Sequence, residues 1–187
     1  MDVWLASQSP RRLALLSPLF PNLEQSGLAH VDETPPSGTV EHQVLTICQR
    51  KAKAVPDDGR LVIVADTMLS DPDDHSLSLG KPRDKVHAAT MLYRIIGRHH
   101  QVWTATGVRW GGQWRFWCES AIVSIPDLDD DTLAELLDSE SWVGKAGAYD
   151  LHGAMGQYAS LVEGEEATVL GLAGQAWAHL EALASIQ

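Results

Sequence analysis

The sequence predicts an α/β protein with a mixed sheet, and three observations carry that expectation. Short apolar runs, Val3-Trp4-Leu5-Ala6 and Leu61-Val62-Ile63-Val64-Ala65, alternate with segments of helical period. Gly111-Gly112 separates two arms rich in Val, Thr, Ile and Trp, a hairpin signal that adds antiparallel pairing to the sheet. Finally, 187 residues with 44% hydrophobic and 21% charged side chains suit one domain, residues 1–187, with a core of ordinary size.

The first strand, residues 3–6, is broken by Ser7-Gln8. Ser9 then reads as a helix N-cap, Pro10 fits the first helical position, and Leu13, Leu15 and Leu16 supply an apolar side. Arg11 and Arg12 fall in the first turn, where free backbone N–H groups and two cations suit an anion. Without one, the arginines oppose the helix dipole. A solvated arginine pair is the plain alternative. Residues 23–31 are expected to form a second strand, followed by a Pro- and Gly-rich loop that carries Asp32 and Glu33. In residues 40–55, Val44, Ile47, Cys48, Ala52 and Val55 mark one helix face. Lys51 falls on that face, where it either snorkels or points into a cleft.

Residues 61–65 form the clearest core strand, and Asp66-Thr67 follow directly. A carboxylate at the carboxyl end of a buried strand stands where open α/β sheets place ligand chemistry, although an Asp there can also cap a turn. After a polar loop at 71–78, Gly80-Lys81-Pro82 sets a cation in a tight turn. Asp84 is expected to cap a helix that buries Val86, Ala89, Leu92 or Tyr93, and Ile96, with Gly97 closing it. The hairpin arms are 101–109 and 113–125, and a further helix is expected at 130–137 with acids in its first turn. A glycine-punctuated turn occupies 144–149. Residues 169–172 read as a last core strand and 177–186 as a C-terminal helix.

Net charge is −11, from 14 Lys and Arg against 25 Asp and Glu. That balance argues against a polynucleotide partner, which needs a basic face, but leaves room for a small phosphate ligand held by a few cations. Cys48 and Cys118 are the two cysteines, so no disulfide framework is implied and a reducing cytoplasm is expected. No apolar run approaches a membrane span, and the first residues lack the layout of a signal peptide.

Taken together, these stretches resemble the Maf family of nucleoside triphosphate pyrophosphatases along nearly the whole chain. Leu5-Ala6-Ser7-Gln8-Ser9-Pro10-Arg11-Arg12 resembles the family's opening signature, Asp32-Glu33-Thr34 its acidic loop and Lys51-Ala52 its lysine-bearing helix. Ala65-Asp66-Thr67 resembles the catalytic aspartate motif. Gly80-Lys81-Pro82, the segment from Gly97 to Val102, and Lys145-Ala146-Gly147-Ala148-Tyr149 complete the set. Each motif alone is weak, whereas seven in register are specific. The resemblance implies a fold similar to the inosine-triphosphate pyrophosphatase (Maf/Ham1) group: a twisted mixed sheet, surrounding helices and a central cleft between two lobes. It also implies hydrolysis of a nucleoside triphosphate to the monophosphate and pyrophosphate with a divalent cation, usually magnesium. Asp-Thr at 66–67 resembles the dTTP/UTP-directed branch, where the 7-methyl-GTP branch tends to carry Asp-Gln. A nucleotide-responsive regulator of cell division is the competing reading, and a homodimer is left open.

The residue chemistry agrees. Arg11, Arg12, Lys51 and Lys81 offer a triphosphate cations from separated segments, as forks and as point charges. Ser7 and Ser9 join them in the expected substrate site, with Thr67 and His152. Asp66 can accept the proton of the attacking water, or hold a metal with Glu33, since magnesium favours one or two carboxylates plus substrate phosphates. Three departures from the family pattern stand out. Asp150 replaces a glycine, His152 a glutamine associated with base selection, and Ala173 a proline.

Overall fold

The structure is a computed structural model that describes residues 2–186. β1 (Val3–Leu5) lies between β2 (Leu23–Gln25) and β3 (Leu61–Ser70) and is parallel to both. β3 then pairs antiparallel with β5 (Arg98–Trp110), β5 with β6 (Gln113–Ile125), and β6 with β7 (Ser160–Glu163). Sheet order is β2-β1-β3-β5-β6-β7, with β4 (Ser78–Leu79) against the end of β3. The sheet is mixed, as expected. The helices are α1 (Pro10–Leu16), α2 (Val40–Lys53), α3 (Lys85–Ile95), α4 (Asp130–Asp138), α5 (Glu166–Leu170) and α6 (Gly174–Ala184). None is long and apolar enough to cross a membrane.

The unbroken apolar run in β3 follows from burial on both faces. Val62 and Val64 pack with Trp4 under Val44, Ile47 and Cys48 of α2. Leu61 and Ile63 pack on the opposite face with Leu5, Leu16 of α1 and Leu180 of α6. A separate core gathers Leu69, Val102 and Val123 with Ala88, Leu92 and Ile95 of α3 and Leu133 of α4. These cores form two lobes joined by the long strands β3 and β5.

Strand lengths open the space between them. β1 pairs only with Leu61, Val62 and Ile63, while β4 pairs with Leu69 and Ser70 on the same side of β3. Residues 64–68 therefore lack a strand neighbour on that side, although the other side stays paired with β5 through Leu69. Asp66 and Thr67 sit in the middle of this gap. The expected end of the strand at Ala65 is thus corrected. β3 continues five residues further, and what ends near Asp66 is the adjacent strand.

Other boundaries are corrected too. Only Leu23–Gln25 of the expected strand at 23–31 is extended and paired. α3 is capped by Asp84 as expected, but it buries Ala88, Met91, Leu92 and Ile95, leaving Val86 77% and Tyr93 62% exposed. The expected last strand at 169–172 is instead the end of α5. Gly171, at φ 110°, turns the chain there and lets the Gly171 and Leu172 N–H groups return to the Ala167 carbonyl. A short apolar run has no period that separates buried helix from buried strand.

Candidate active site

The gap in the sheet is the floor of a cleft of about 390 Å³. One wall is the 6–12 segment with Gly27, Leu28, Glu33 and Lys51; the other is Lys81 and residues 143–146. On the floor, Asp66 is buried and its Oδ1 accepts a hydrogen bond from Lys51 Nζ at 2.6 Å. The same ammonium meets Glu33 Oε2 at 3.1 Å and donates to the Ala65 carbonyl at 3.5 Å. Helical spacing brings Lys51 here: it sits one turn after Ile47, on the buried side of α2.

Burial raises the Asp66 pKa above the usual carboxylate value, against the opposing pull of Lys51 and Arg12. Its Oδ2 is buried with no hydrogen-bond partner. That orphaned oxygen, beside Glu33, fits a divalent cation or a water molecule. Among the described residues no three His, Cys, Asp or Glu side chains converge as a ready metal cage. A cation held by Asp66 and Glu33 would complete its shell with phosphate oxygens and water, as magnesium does.

Arg12 is buried in the wall formed by the 6–12 segment and is anchored on three sides. Its Nε donates to the Gly171 carbonyl at 2.7 Å, Nη1 to Ser7 Oγ at 3.0 Å and Nη2 to Thr67 Oγ1 at 3.0 Å. Two of its five N–H groups remain for a ligand. Ser7 Oγ also accepts from the Ser9 N–H at 3.2 Å, and Ser9 Oγ caps α1 by accepting from the Arg12 N–H at 3.4 Å. The serines thus shape the turn that presents the arginines. Glycine is favoured at 171, because a φ of 110° strains any residue with a side chain and a Cβ would press on the anchored Arg12 Nε at 3.0 Å.

Arg11 reaches towards Asp150, with Nη1 3.8 Å from Oδ1, while Lys145 Nζ holds Asp150 Oδ2 at 2.9 Å. Asp150 stays ionised below the usual carboxylate range. Burial opposes this but is outweighed by Lys145, Arg11 and the His152 N–H. Lys145 is a cleft cation that the site expectation omits, although its motif was in plain view. Lys81 lies on the exposed lip of the same wall. His152 is the residue not brought in. Its ring is paired with Glu166 on the surface, its side chain is 58% exposed, and it does not line the cleft. Asp150 turns its N–H inward and leaves the imidazole outside. His152→Gln is therefore expected to change the ratio of turnover between UTP and CTP by less than about twofold, within the range of ordinary surface changes. Steady-state assays of both proteins with the two nucleotides check it.

Five cations, Arg11, Arg12, Lys51, Lys81 and Lys145, face the cleft with two carboxylates in a chain of net charge −11. The fold and site define an α/β protein whose cleft concentrates positive charge in an acidic chain, an electrostatic environment that suits a polyanion. Residues 2–182 match the family described as Maf-like protein. A "dTTP/UTP pyrophosphatase" of Ruegeria sp. (strain TM1040) is 34% identical over 174 residues, 90% of this chain and 86% of the relative. Another with that name, from Pseudoalteromonas atlantica (strain T6c / ATCC BAA-1087), is 35% identical over 182 residues, 90% of this chain and 89% of the relative. The chain belongs to the Maf-like family. Among solved structures, the Ham1 protein of Staphylococcus aureus aligns with a TM-score of 0.45 and 14% identity, covering 68% of this chain and 73% of that one.

Proposed function

We propose that this protein is a nucleoside triphosphate pyrophosphatase that cleaves dTTP and UTP to the monophosphate and pyrophosphate. The observation that carries the reading is the Lys51-Asp66-Glu33 cluster on the floor of a cleft with four further cations. The names of the relatives supply the nucleotide class.

The chain's own groups divide the work. Arg11, Lys81, Lys145 and the two free N–H groups of Arg12 bind and orient phosphate oxygens. Lys51 fixes Asp66 through Oδ1, which leaves Oδ2 to take the proton of a water directed at phosphorus. The raised pKa makes Asp66 a stronger base than an exposed aspartate. As water's oxygen bonds to phosphorus, the bond to the bridging oxygen breaks and pyrophosphate leaves into the cationic wall. Asp66 and Glu33 would hold a magnesium ion. When bound, it supplies charge neutralisation and a more acidic water.

The test is a panel of nucleoside triphosphates assayed with magnesium for released pyrophosphate. dTTP and UTP are expected to be the best substrates, with monophosphate and pyrophosphate formed in equal amounts. Release of orthophosphate instead, or binding without turnover, would discard the reading.

A further inference from the structure

A hydrogen-bond relay runs from the cleft through the sheet to α5. Register places Thr67 of β3 opposite Thr104 of β5, on the same face, with Oγ1 atoms 2.9 Å apart. The neighbours dictate the direction of every proton. Arg12 has only donors, so Thr67 Oγ1 accepts from Nη2 at 3.0 Å. The Thr168 carbonyl has only lone pairs, so Thr104 Oγ1 spends its single proton there, at 2.7 Å. Thr104 is 0% exposed. Its oxygen can then only accept, and the Thr67 proton must point at it, away from the cleft. What the half-buried Thr67 hydroxyl can still offer a ligand is a lone pair.

We infer that Thr104, which does not line the cleft, fixes Thr67 as a hydrogen-bond acceptor and so selects a substrate group that donates, the N3–H of a uracil or thymine ring. Cytosine presents a lone pair at the same ring position. The inference rests on the pyrimidine triphosphate reading above and deepens it. Phosphate oxygens donate nothing, so they are not the partner of Thr67. Thr67 also borders a recess of about 10 Å³ lined by Arg11, Tyr149 and the apolar Leu69, Val102, Leu151 and Val169. A ribose hydroxyl is the other donor a nucleotide offers, and blocking N3 tells the two apart. A site built to receive a donor rejects the analogue that lacks it, because two lone pairs then meet.

Thr104 is a positioning residue, so its test reads selectivity. Thr104→Val is nearly isosteric and removes the acceptor, which frees the Thr67 proton to turn towards the cleft. The UTP-to-CTP ratio of kcat/KM is expected to fall about tenfold, the size of one misdirected hydrogen bond. Thr104→Ser restores the hydroxyl and the parent ratio. A third arm needs no variant: on the parent protein, 3-methyl-UTP, whose N3 donor is blocked, is expected to turn over no better than CTP. That arm decides alone if Thr104→Val does not fold. A parent ratio retained by Thr104→Val, or 3-methyl-UTP turned over as well as UTP, overturns the inference while pyrophosphatase activity stands. A parent protein that releases pyrophosphate from no nucleotide removes the functional reading and this inference with it.

Discussion

Asp66→Asn is expected to lower turnover of the best nucleotide about 10²–10⁴-fold, the usual cost of a lost general base. The folded protein should be at least as stable as the parent at neutral pH. Burial raises the Asp66 pKa, so the folded state binds its proton more tightly than the unfolded chain does. The stability contribution of this group is complete below its unfolded pKa and is lost as pH rises through the raised folded value. At neutral pH the buried carboxylate therefore costs stability, and the neutral amide relieves that cost. Lys51 keeps Glu33 as a partner at 3.1 Å. For the parent enzyme the same shift places the acid limb of the kcat/KM profile above the range of an ordinary aspartate. Thermal melts with pH-dependent kinetics check both statements, and a variant that hydrolysed at the parent rate would remove Asp66 from catalysis.

Arg12→Ala is expected to act on the fold as well as on the reaction. It leaves the Gly171 carbonyl, Ser7 and Thr67 without their charged donor in a buried place. A hydrogen bond to a charged group contributes about 1.5–3 kcal/mol, so three together outweigh the desolvation that the alanine relieves. A net loss of about 3 kcal/mol corresponds to a fall in melting temperature of roughly 10 °C for a chain of this size. Turnover should fall for every nucleobase alike. Arg12→Lys should not rescue either property, because one ammonium cannot span acceptors on β3, the Ser7 turn and the α5–α6 corner. Differential scanning calorimetry without nucleotide separates this from a role in binding alone. An unchanged melting temperature would show that the three bonds contribute nothing.

The sequence alone predicts the opposite sign for Arg12. Two arginines in a first helical turn oppose the dipole, and removing one should help the unliganded protein. That reasoning describes Arg11, whose side chain faces the cleft. It misses Arg12 because its anchor is a carbonyl 159 residues away. The strand cores, α2 with Lys51 on its inner side, the Asp84 cap and the Gly111-Gly112 hairpin were all legible, since each depends on local period and turn chemistry. So was the place of Asp66 at the cleft, though for an imperfect reason. Its strand does not stop where the apolar run stops, because pairing with β5 carries it on through Met68 and Leu69. His152 shows the limit in the other direction. Its place in a motif pointed to the base, yet the backbone around Asp150 sends its ring to Glu166 and the solvent.

The missing neighbour of β3 has one more consequence. The Ile63 carbonyl accepts from the Ala6 N–H on the β1 side. Strand alternation then sends the N–H and C=O of Ala65 and Thr67 the same way, past the end of β1. Lys51 reaches the Ala65 carbonyl there. Thr67 lines the cleft, so its floor includes main-chain groups that no strand pairs and that no ordinary substitution of this residue removes. Alanine scanning cannot register them, and a ligand lying along β3 meets a set of donors and acceptors that drift in the side chains leaves untouched.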